Sequence, residues 1–145
     1  MRILIKIIIF LILFPSKSFS LIEVDITRGN LDPLPIAVSP LSIDENSRQN
    51  FEKILKKKNI GAEISRIIEV NLKTSGLFNP LNKDAFLQAP DIANLKPRFE
   101  DWSLIKAQAL ITGKVSFNEE KLRVEFRLWD VLAGKEMVAL AFTTV

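Results

Sequence analysis

The chain has 145 residues, with 20 basic and 17 acidic side chains and a formal charge of +3. It holds no cysteine, histidine or tyrosine. Those absences exclude disulfides, histidine- or cysteine-based catalysis, a Ser-His-Asp triad and His/Cys zinc sites.

At the start of the chain, Arg2 and Lys6 precede the apolar run Ile7 to Phe14. Pro15 closes the run, and Ser18-Phe19-Ser20 supplies small residues one apart. This is the layout of a secretory signal peptide. The run is far shorter than the ~20 residues that span a bilayer. Residues 1–20 are therefore expected to direct export and to be cleaved after Ser20. The alternative is a hydrophobic N-terminal helix retained as an anchor. The segment takes with it Arg2, Lys6 and Lys17, leaving 17 basic and 17 acidic residues. A neutral chain lacks the basic face of a nucleic-acid binder. No membrane insertion is expected after cleavage. Residues 21–145 suit one domain with one core.

Ile22, Val24 and Ile26 alternate strictly with Glu23, Asp25 and Thr27, a half-buried strand pattern. Arg28-Gly29-Asn30 breaks it, and Asp32-Pro33-Leu34-Pro35 keeps the chain extended. Residues 36–39 read as a short buried strand stopped by Pro40. Asp44 to Lys58 is polar with Phe51, Ile54 and Leu55 at helical spacing, consistent with a surface helix or an ordered loop. A stronger helix follows, with Ile60, Ile64, Ile67, Ile68 and Leu72 on its inner face. Asn59 is its expected N-cap and Gly76 its C′ residue. Leu77 to Leu81 reads as an edge strand, because Pro80 cannot donate to a central ladder. Residues 82–97 read as irregular. A second main helix is expected from Glu100 or Asp101 to Gln108, with Trp102, Ile105 and Ala109 inward. Ile111 to Phe117, Leu122 to Trp129 and Met137 to Val145 then form an antiparallel meander, turning at Asn118–Lys121 and Ala133–Lys135. The fold class is α+β: a mixed sheet with two main helices packed on one face and a C-terminal antiparallel meander.

Candidate chemistry is sparse. No glycine-rich phosphate loop occurs. Glu119-Glu120 is an adjacent acid pair that reads as a solvated turn. Neither a metal nor a cofactor is expected, and the chain is not expected to be an enzyme. Lys56 to Lys58 and Arg98 are candidate anion contacts if the domain binds a small ligand or a nucleotide, which is the alternative function. Arg123, Glu125, Arg127 and Trp129 share one strand face. Trp129 there marks either a contact surface or a side chain packed beneath a helix.

Three stretches carry a resemblance. Thr74-Ser75-Gly76-Leu77-Phe78-Asn79-Pro80-Leu81 leaves the first main helix. Phe99-Glu100-Asp101-Trp102-Ser103 leads to Ala109-Leu110-Ile111-Thr112-Gly113-Lys114-Val115. An exported start precedes Ile22 to Gly29 and then Leu34-Pro35-Ile36-Ala37-Val38. In this order they resemble the N-terminal domain of TolB proteins, periplasmic components of the Tol–Pal envelope system. The resemblance covers residues 21–145 and stops before the family's β-propeller. It implies a mixed-sheet α/β domain and an adaptor role in envelope integrity and cell division. It also implies that residues 21–32 bind a TolA-like inner-membrane protein, through Leu21, Ile22, Glu23, Val24, Asp25, Ile26, Thr27, Arg28 and Gly29. Contact with the lipoprotein Pal belongs mostly to the propeller and is not carried over. Ile22, Val24, Ile26 and Gly29 fit the family's apolar alternation and glycine. The residues alone leave a second reading of this segment open: the first strand of the domain's own sheet.

Overall fold

The computed structural model describes residues 32–55, 59–118 and 121–144. β1 (Leu34–Val38) and the two-residue β2 (Ser42–Ile43) precede α1 (Glu45–Leu55) and α2 (Ile60–Thr74). β3 (Phe78–Pro80), a 3-10 turn (Lys83–Ala85), α3 (Pro90–Leu95) and α4 (Phe99–Leu104) follow. β4 (Ala109–Asn118), β5 (Lys121–Asp130) and β6 (Lys135–Thr143) complete the chain. The strands form one sheet in the order β3-β1-β4-β5-β6, with β2 beside β4. β1 runs parallel to β3 and β4, whereas β4, β5 and β6 are antiparallel. The α+β class and the meander follow from the sequence periodicity.

Local chemistry sets the element ends. The Asp44 carboxylate accepts the backbone N–H and the hydroxyl of Ser47, both at 2.9 Å, and so caps α1. Asp44 to Lys58 therefore opens as a helix, with Phe51 buried on its inner side. Asn59 caps α2 through the Ala62 N–H, and Gly76 follows its C-cap at φ 74°, a conformation that costs glycine little.

The period-2 pattern of the meander divides the core between two sheet faces. Register pairs Val115 with Val124 and Phe117 with Leu122 on one face. Leu110 with Trp129 and Thr112 with Arg127 lie on the other. The long helices α1 and α2 cover the first face. Phe51 stacks on Phe117 with ring centroids 5.4 Å apart, and Leu41, Ile60, Ile64 and Val115 join that cluster. On the second face Trp102 of α4 packs with Ala37, Ala107, Leu110 and Val131. Fully burying a large apolar side chain such as Phe51 contributes about 1.5–3 kcal/mol.

Three local expectations are corrected. The helix expected to reach Gln108 ends at Leu104, and Lys106 takes a positive φ of 63°. The N–H groups of Lys106 and Ala107 close back on the carbonyls of Ser103 and Trp102, so the chain leaves the helix in a Schellman turn. Ala109 consequently opens β4 and is not on the helix. The second long helix is α1, and the short α4 lies on the opposite sheet face from α1 and α2. Residues 82–97 also hold α3, which starts with Pro90 in the first helical turn, where its missing N–H is harmless.

Candidate interaction surfaces

The segment Leu21 to Gly29 lies outside the described residues, as do Lys56–Lys58 and Glu119-Glu120. The description begins at Asp32 and Pro33, both exposed, immediately before β1.

Arg98 is held by its own neighbourhood. Its guanidinium reaches the Asp101 carboxylate at 2.7 and 2.9 Å. Its backbone N–H donates to the Gln88 side-chain oxygen at 3.1 Å, and its carbonyl accepts from the Gln88 amide at 2.7 Å. The Arg98 hydrogen bond, and then that of Gln88, hold the Asp101 carboxyl below its usual range. Arg98 therefore splints the entry to α4. Beyond the carboxyl end of β1 lies a crevice of about 580 Å³ that mixes Arg48 with Asp91. The acid there opposes binding of a phosphate. Among the described residues no group of three or more His, Cys, Asp or Glu is placed to hold a metal.

Trp129 packs beneath a helix. Its indole N–H donates to the Thr112 hydroxyl at 2.9 Å, and its ring meets Phe99 of α4 edge-on at 5.8 Å. The charged residues beside it form a row. Arg123 binds Glu125 at 2.8 Å, and that hydrogen bond, against the opposing effect of desolvation, holds the Glu125 carboxyl below its usual range. Arg127 donates to the Asn94 carbonyl at 2.9 Å and lies 3.5 Å from Glu136.

A further surface is more apolar. The helices α1 and α2 sit over β4, and Leu122, Val124 and Phe126 of β5 pack against the cluster beneath them, leaving the same face of β6 exposed. Val138, Leu140 and Phe142 of β6 are 44%, 54% and 59% exposed. Val138 and Leu140, with Ile68 of α2, Ile111, Phe126 and Leu128, border an apolar groove of about 310 Å³. The sequence signal for this surface is the unbroken apolar run Met137 to Phe142. Its place as an edge strand is visible only in the sheet order. Among the described residues, no helix is long and apolar enough to cross a membrane.

Comparison with known proteins assigns the fold a family. Residues 22–137 match the model of the TolB amino-terminal domain. A Tol-Pal system protein TolB from Pelagibacter ubique is 74% identical over 137 residues, which are 94% of this chain and 31% of that protein. The chain thus spans about a third of the length of that relative. Among solved structures, TolB from Acinetobacter baumannii superposes with a TM-score of 0.54 at 18% identity, covering 76% of this chain and 23% of that one. A lipoprotein from Neisseria meningitidis gives 0.54 at 17% identity over 77% of this chain and 80% of its own. At such identities these two structures speak for the fold alone. The chain, with its parallel β3–β1–β4 core and antiparallel meander, belongs to the family of the TolB amino-terminal domain, a Tol–Pal system component.

Proposed function

We propose that the domain is a periplasmic, non-enzymatic adaptor of a Tol–Pal system, binding a TolA-like inner-membrane protein through Leu21 to Gly29. In this reading it supports outer-membrane integrity and cell division. The observation that carries the reading is the family match beginning at Ile22, with a Tol-Pal system relative 74% identical along the same stretch.

The chemistry of the segment supports strand addition. An extended peptide pairs its backbone with an exposed sheet edge, and alternate side chains enter pockets. Ile22, Val24 and Ile26 are the anchors, each worth about 1.5–3 kcal/mol when fully buried. Ordering a free segment costs about 1–2 kcal/mol per residue, so the net affinity is modest. Modest affinity suits a contact that must be made and released.

Deleting Leu21 to Asp32 is expected to abolish binding to a TolA-like C-terminal domain in a calorimetric titration, with the urea midpoint unchanged. Binding that survives the deletion overturns the reading.

A further inference from the structure

We draw no further inference here: the strongest candidate, the apolar groove that Ile68 of α2 forms with Phe126 and Leu128 of β5 and Val138 and Leu140 of β6, carries nothing because nothing in the structure shows what covers it.

Discussion

Ser65 shows how one hydroxyl can tie a helix to a loop. It is fully buried on α2, accepts the Leu41 N–H at 3.0 Å, and lies 3.0 Å from the carbonyls of both Ser39 and Gly61. The Leu41 N–H also points towards the Gly61 carbonyl at 3.4 Å, a weaker contact. Replacing Ser65 by alanine removes the donor and the acceptor together. The expected cost is about 1–3 kcal/mol, the penalty of leaving buried backbone groups poorly satisfied. A lowered urea midpoint at unchanged slope is the measurement that checks it. Gly61 is the neighbouring case, one turn earlier. Glycine to alanine inside a helix ordinarily gains roughly 0.5–1 kcal/mol. Here a Cβ would fall onto the Leu41 carbonyl oxygen, which is backbone and does not yield. Overpacking of about 1–3 kcal/mol then outweighs the propensity gain. Gly61→Ala is expected to destabilise, and a raised thermal midpoint would refute the close approach of loop and helix.

At the scale of elements, legibility follows the length of each periodic run. β4 alternates from Ile111 to Phe117 and β5 from Leu122 to Leu128, seven positions each, so their faces and pairing were readable from the sequence. α2 has a cap at each end, Asn59 and Gly76, and its bounds were readable too. β2 has two residues and α3 six, too short for any period to register. The end of α4 was hidden for another reason. Lys106 occupies the position where a helix-ending glycine would have announced the stop. Holding a non-glycine residue in the left-handed region costs about 1–2 kcal/mol. Lys106→Gly relieves this strain but gives the unfolded chain about 0.5–1 kcal/mol of extra freedom. The net expectation is a gain of under about 1 kcal/mol in chemical denaturation, whereas Lys106→Val should destabilise. The segment Leu21 to Gly29, proposed above to bind a partner, was read from its alternation and from family resemblance. The β6 edge was not read, because no local pattern tells a sequence which strand will end up outermost.

Across the whole molecule, the loss of stability at low pH follows three carboxyls that the fold holds ionised. Burial pushes the Asp44 carboxyl up, but the Ser47 N–H and hydroxyl and the Lys114 charge outweigh it, so the net direction is down from 3.8. Asp44 thereby links the start of α1 to β4, with Lys114 at 3.8 Å. Arg98 and Gln88 lower Asp101 from 3.8 at the start of α4. Arg123 chiefly lowers Glu125 from 4.5 on β5, against desolvation. A carboxyl with a lowered value in the folded state binds its proton more readily when unfolded. Its contribution is complete above the ordinary value and fades as the pH falls through the lowered one. All three shifts act in the same sense, so the folded state should weaken progressively below about pH 4.5 and stop weakening once these groups are protonated in both states. No histidine is present to titrate between pH 5 and 8, so the urea midpoint should be nearly flat there. Asp101→Asn should lower the midpoint at pH 7 and shrink the difference between pH 7 and pH 3. That comparison separates the Arg98–Gln88 splint from general charge repulsion, which the substitution would leave almost intact. A native chain whose midpoint holds steady from pH 7 to pH 3 would mean that these carboxylates are equally well stabilised in the unfolded chain.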